Sequence, residues 1–242
     1  MSDKPAISSA KKISVKPPIL FKKPLPFYWI CDCSESMGLK NRSNNLVCMD
    51  EINKTIPLAI EAIKYISMIR GARISMRMRT LKFSDHAEWV DKFTITVDQY
   101  SWKNLSAEKG GCTLGEAFIK VAQDLKPIVE VGTMPKKAYP PVLVLITDGY
   151  PTDDWKSGLD SLNKISEFRG SCRIAFNLAD ADPDVIQEFI GNYKENIIPI
   201  TEFHDIKKIF KHILLDYYFY DGPYRVPLVE KGKQKNFPYS EK

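Results

Sequence analysis

Three short stretches of the chain carry side-chain oxygens at spacings that suit a hard divalent cation. They are Asp32-Cys33-Ser34-Glu35-Ser36-Met37-Gly38, Gly110-Gly111-Cys112-Thr113-Leu114-Gly115, and Thr147-Asp148-Gly149. Carboxylates and hydroxyls without a nearby pair of histidines or thiolates favour Mg²⁺ or Mn²⁺ and disfavour zinc. Asp32, Ser34 and Ser36 alternate, so all three can turn toward one point where a strand gives way to a loop. The paired glycines before Thr113 let backbone approach closely. Side-chain oxygens from all three stretches are therefore candidate ligands. A single Asp or Ser in such a place more often forms a turn or caps a helix, and it is the co-occurrence of the three stretches that points to an ion. Asp153 and Asp154 are read as caps of a helix starting near Trp155 rather than as an acidic rim.

Such a site needs elements that bring its parts together. Phe27 to Cys31 is an apolar and aromatic run ending in Asp32, and Val142 to Ile146 is a second one ending in Thr147-Asp148. Runs apolar on both faces predict central strands of a parallel sheet covered on both sides. Ile52, Ile56, Ala59, Ile63 and Ile66 recur at helical spacing, with Pro57 expected to kink that helix or restart it. Ile74 to Phe83 alternates as a strand, and Leu114 to Leu125 reads as a helix opened by the glycine pair. Residues 155–168 read as one helix, Arg173 to Leu178 as a strand, Pro183 to Ile190 as a helix, Ile197 to Ile200 as a strand, and Ile206 to Leu215 as a last helix. The alternation predicts an α/β fold: an open, mostly parallel central sheet with helices on both faces, its ligands beyond the carboxyl ends of the strands.

A chain of 242 residues, 44% hydrophobic and 27% charged, has the balance of one sizeable globular domain. Its apolar runs are strand-sized, far below the about 20 residues of a membrane span, and residues 1–20 lack the apolar heart of a signal segment. Cytoplasmic placement is the expectation. The net charge of +5 comes from lysines and an arginine near the two ends. We expect a disordered basic lead-in over residues 1–24, the folded domain over 25–221 and a basic tail over 222–242, the tails serving solubility. Cys31, Cys33, Cys48, Cys112 and Cys172 form no disulfide or zinc pattern and read as packing residues. His86, His204 and His212 have no spacing that suggests a metal triad. Tyr217-Tyr218-Phe219-Tyr220 is expected to pack against the domain edge rather than to form a docking patch.

At the three oxygen-bearing stretches the sequence resembles the von Willebrand factor A (VWA) family and its metal-ion-dependent adhesion site. That family carries Asp-x-Ser-x-Ser after the first strand, a Thr in a glycine-bearing loop, and an Asp, often Asp-Gly, after the fourth strand. Asp32, Ser34, Ser36, Thr113 and Asp148 match those positions in order, over roughly residues 26 to 216. The resemblance implies a Rossmann-like VWA fold and a non-enzymatic module in which the bound ion takes an Asp or Glu carboxylate from a partner. Glu35 departs from the small residue common there, and it would narrow the site or add a carboxylate. Glu35, Gly149 and Tyr150 are the candidate partner contacts. Within the family, residues 110–117, 145–153 and 178–185 look most like bacterial tellurium-resistance-associated (Ter-type) proteins. That implies a cytoplasmic adaptor in stress or defence phospho-signalling, working with a kinase-like protein and a PP2C-type phosphatase.

Two rivals from other classes fare worse. A haloacid-dehalogenase-type phosphatase also places a nucleophilic Asp after its first strand, but it needs a second Asp two residues on, where this chain has Ser34. Nucleic-acid binding through the basic tails, with Trp102, Tyr139 or Tyr220 for stacking, lacks an accompanying nucleic-acid-binding motif.

Overall fold

The structure is a computed structural model that describes residues 23–40, 45–70, 74–130, 138–148, 150–178 and 181–218. The expected lead-in through residue 22, the tail beyond Tyr218 and Gly149 lie outside the described residues.

Seven strands form one sheet: β1 (Lys23–Asp32), β2 (Ile74–Phe83), β3 (Ala87–Trp89), β4 (Ile95–Thr96), β5 (Val142–Thr147), β6 (Cys172–Asn177) and β7 (Ile197–Pro199). The order is β3-β2-β1-β5-β6-β7, with β4 pairing β2 off that path. The pairs β1–β2, β1–β5, β5–β6 and β6–β7 are parallel, and only the short β3 and β4 run antiparallel to β2. The helices are α1 (Cys48–Arg70), α2 (Leu114–Glu130), α3 (Trp155–Asn163), α4 (Ser166–Arg169), α5 (Pro183–Ile190) and α6 (Ile206–Tyr218). Among the described residues no helix is long and apolar enough to cross a membrane.

The apolar runs act as read: alternate residues of one strand feed two separate cores. Leu25, Phe27, Trp29 and Cys31 of β1 pack with Val144, Ile146 and the inner faces of α1 and α6. Tyr28 and Ile30 pack on the opposite face with Leu143, Leu145 and the apolar residues of α2, α3 and α5. A strand buried on both faces cannot alternate apolar with polar, which is why β1 and β5 read as continuous runs. A hydrogen bond from Tyr28 Oη to Asp124 Oδ2 (2.7 Å) and an ion pair of that carboxylate with Arg79 tie α2 to β1 and β2.

Two expectations need correction. β1 starts at Lys23, so it includes Pro24 and Pro26. Those prolines are tolerated because β5 joins β1 only at Phe27, opposite Val142, leaving the proline stretch paired on the β2 side alone. Of the two alternatives at Pro57 the restart does not occur, since α1 runs unbroken from Cys48 to Arg70 with the proline inside it. Residues 155–168 are not one helix: Ile165 is extended (φ −88°, ψ 120°) and caps a second short helix, α4, which delivers Phe168 into the core. The last helix continues to Tyr218, whose hydroxyl donates to Pro140 O (2.9 Å), while Tyr217 donates to Gly170 O (2.6 Å). These two tyrosines pack on the domain as expected; Phe219 and Tyr220 lie outside the described residues.

Candidate metal centre

β1 and β5 are neighbours whose chains leave in opposite directions. From β1 the chain crosses by α1 to β2; from β5 it crosses by α3 and α4 to β6 on the other face. The crevice beyond their carboxyl ends is the topological switch point of the sheet, the place where ligands settle in such folds. Asp32 is the last residue of β1, and Asp148 follows the last residue of β5.

The loop after β1 is held so that its oxygens face one another. Cys33 is pinned between neighbours, its N–H donating to Phe83 O and its carbonyl accepting from Glu108 N, both at 2.7 Å. A single 3-10 turn, Glu35–Gly38, follows, anchored by the buried Met37. The result is a chain of contacts. Ser34 N donates to Asp32 Oδ1 (2.8 Å), the Ser34 and Ser36 hydroxyls lie 3.1 Å apart, and Ser36 Oγ donates to Asp148 Oδ1 (2.8 Å). Four of the five expected ligands are thus brought together.

Thr113, the fifth, stands at the entry of α2. Its N–H donates to Ser84 O (3.0 Å) and Gly111 N donates to Asp85 Oδ1 (2.7 Å), so the exit of β2 carries this loop. Gly110 has φ +141°, a conformation that side chains other than glycine's rarely adopt. The Thr113 hydroxyl is buried and has no hydrogen-bond partner among the described residues. Its neighbour Cys112 reaches the first loop directly, Sγ donating to Asp32 Oδ2 at 3.3 Å.

Asp32 decides the electrostatics. Its side chain is fully buried, and three neutral groups donate to it: Ser34 N–H, the Cys112 thiol and the Thr147 hydroxyl at 2.6 Å. Burial, and then the Asp32 charge, push the Cys112 thiol well above its usual range and the Cys33 thiol up to about 12, so both stay protonated. The nearby Lys82 is committed to Glu88 (2.7 Å) and Glu108, and no ion pair reaches Asp32 among the described residues. A buried carboxylate is ordinarily paired with a cationic group or coordinates a metal. That carboxylate and the orphaned Thr113 hydroxyl together fit a hard cation.

Glu35 is exposed and makes no hydrogen bond or ion pair among the described residues, and Tyr150 is 66% exposed. Sequence reasoning passed over Thr147 and Cys112 as donors to Asp32, and over the use of Asp153. Asp154 caps α3 by accepting from Ser157 N (3.1 Å), as expected, but Asp153 caps α2 instead, accepting from Gly115 N and Glu116 N at 2.9 Å each.

A mostly parallel sheet with one antiparallel edge, helices on both faces and an Asp-x-Ser-x-Ser turn at its switch point define the VWA fold. Solved structures superpose accordingly. A von Willebrand factor type A protein from Catenulispora acidiphila matches with a TM-score of 0.52 at 12% identity, over 80% of this chain and 43% of that one. Proximal thread matrix protein 1 from the mussel byssus, with a zinc-occupied MIDAS motif, matches with 0.52 at 12% identity over 80% and 48%. The pilus adhesin SpaC from Lactobacillus rhamnosus GG matches with 0.54 at 13% identity over 79% and 31%. The chain spans less than half the length of these proteins, and the likeness is one of fold. No protein-family profile and no curated protein matches the chain.

Proposed function

We propose that this VWA domain is a non-enzymatic interaction module that holds a divalent cation, Mg²⁺ or Mn²⁺, through Asp32, Ser34, Ser36, Thr113 and Asp148. The observation that carries this reading is the fully buried Asp32 carboxylate, reached by neutral donors alone, in a site that also contains a buried hydroxyl without a partner. When bound, the cation supplies positive charge and a coordination position for an Asp or Glu carboxylate of a partner protein. The chain's own residues do the rest. Thr147 and Cys112 orient Asp32, and Ser36 orients Asp148. Binding rather than catalysis is the reading that the resemblance to the VWA family supports. The resemblance of residues 110–117, 145–153 and 178–185 to Ter-type proteins supports a finer reading. It is a cytoplasmic adaptor in stress or defence signalling, with a kinase-like protein and a PP2C-type phosphatase as the partners to try first.

Isothermal titration of Mn²⁺ and Mg²⁺ into the full chain and into Asp148→Ala tests the site. Binding heat in the wild type and none in a folded Asp148→Ala protein is the expected result. A folded wild type that takes up neither ion removes the cation from the mechanism.

A further inference from the structure

Asp153 gives its side chain to a helix other than the one it precedes. Its carboxylate spends both oxygens on the first turn of α2, accepting from Gly115 N and Glu116 N, while α3 is capped by Asp154. The residue before it is used in the same way. Thr152 N donates to Cys112 O (2.8 Å), and Cys112 N donates to Thr152 Oγ1 (3.0 Å). Four hydrogen bonds therefore run from the segment just after Asp148 to the residues on either side of Thr113. The contact is also sterically tight, since a Cβ on Gly115 would lie 2.6 Å from Asp154 O and 2.9 Å from Asp153 Oδ2.

This tie matters because, among the described residues, nothing hydrogen-bonds the Thr113 hydroxyl to fix it. Its position is set by the backbone on both sides, which Asp85 and Ser84 hold from one flank and Thr152 and Asp153 from the other. Asp153 also places a negative charge at the positive end of a 17-residue helix, one residue from a proposed cation ligand. We infer that Asp153 is a positioning residue of the metal centre: it locks the loop bearing Thr113 to the loop bearing Asp148, so that the two halves of the site keep one geometry. The inference rests on the cation reading given above.

The test compares Mn²⁺ titrations of full-length wild type, Asp153→Ala, Asp153→Asn, Thr113→Ala and the Thr113→Ala/Asp153→Ala double variant. Amide hydrogen exchange over residues 110–116 is measured without metal on the same proteins. Asp153→Ala should weaken Mn²⁺ binding about tenfold, and the near-isosteric Asp153→Asn about threefold. With Thr113 already removed, Asp153→Ala should change binding less than about twofold, because its effect passes through that hydroxyl. Exchange over residues 110–116 should rise in Asp153→Ala. Wild-type affinity in Asp153→Ala, or a loss equally large in the Thr113→Ala background, overturns the positioning role. If the wild type itself binds no Mn²⁺, the cation reading fails separately and exchange alone decides the tie, unchanged protection in Asp153→Ala refuting it.

Discussion

Thr147 shows why a site can be half legible. Its hydroxyl donates to Asp32 Oδ2 from the neighbouring strand, 115 positions along the chain. The oxygen set of the centre could be read from residue types and spacing, because ligands must be carboxylates and hydroxyls clustered at strand ends. The groups that orient those ligands could not, because a threonine ending an apolar strand is chemically ordinary until the parallel register brings it beside Asp32. Cys112 is a second case: its thiol reads as packing and does pack, yet it also donates to the carboxylate. Thr147→Val should leave Asp32 one donor short in the core and destabilise the domain by about 1–3 kcal/mol. Denaturant unfolding of the metal-free protein measures this, and Thr147→Ser should recover most of the loss.

Among elements, the helices that carry apolar stripes are legible in the sequence, and tertiary packing decides the rest. Pro57 removes one intrahelical hydrogen bond, to Asn53 O, but α1 stays whole because Ile52, Ile56, Ala59 and Ile63 bury its face on the sheet. The Asn53 side chain then pins the loop after β4, donating to Leu105 O and accepting from Leu105 N and Trp102 Nε1. The break at Ile165 is a phase slip: in one continuous helix Phe168 would fall about 180° from Leu159, on the opposite face, and it reaches the core only because the chain turns at Ile165. The short antiparallel β3 and β4 have too few residues to show any period. The α2–α3 contact is made glycine on glycine: a Cβ on Gly158 would sit 2.5 Å from Gly115 O. Gly115→Ala or Gly158→Ala should therefore wedge the two helices apart at about 1–3 kcal/mol. A fall in thermal midpoint accompanied by weaker Mn²⁺ uptake is the expected signature, since the same contact borders the Thr113 loop.

The whole molecule is a sheet with a separate core on each face, and this much followed from two strands that never alternate. Its acid–base behaviour follows from the same burial. Desolvation by burial raises the thiols of Cys31 and Cys172 and the phenols of Tyr28, Tyr100 and Tyr217 above their ordinary values, with Cys33 raised to about 12. In the unfolded chain these groups ionise from about 9 for thiols and about 10 for phenols. Their contribution is thus complete below about pH 9 and is lost as the pH climbs toward 12, where only the unfolded state releases its protons freely. Thermal midpoints recorded through that alkaline range should fall steadily, and a flat profile would contradict the burial of these groups. One feature of the sheet bears on how copies of the protein meet in a crowded solution. The stretch of β1 before Phe27 extends past the start of β5 and would offer a foreign strand a ready rail in the middle of the molecule. Pro24 and Pro26 strip amide hydrogens from that rail, and Tyr139 N already occupies the Pro24 carbonyl at 2.8 Å. An intruding chain finds little to zip onto, so the two prolines guard this stretch of the sheet against self-assembly.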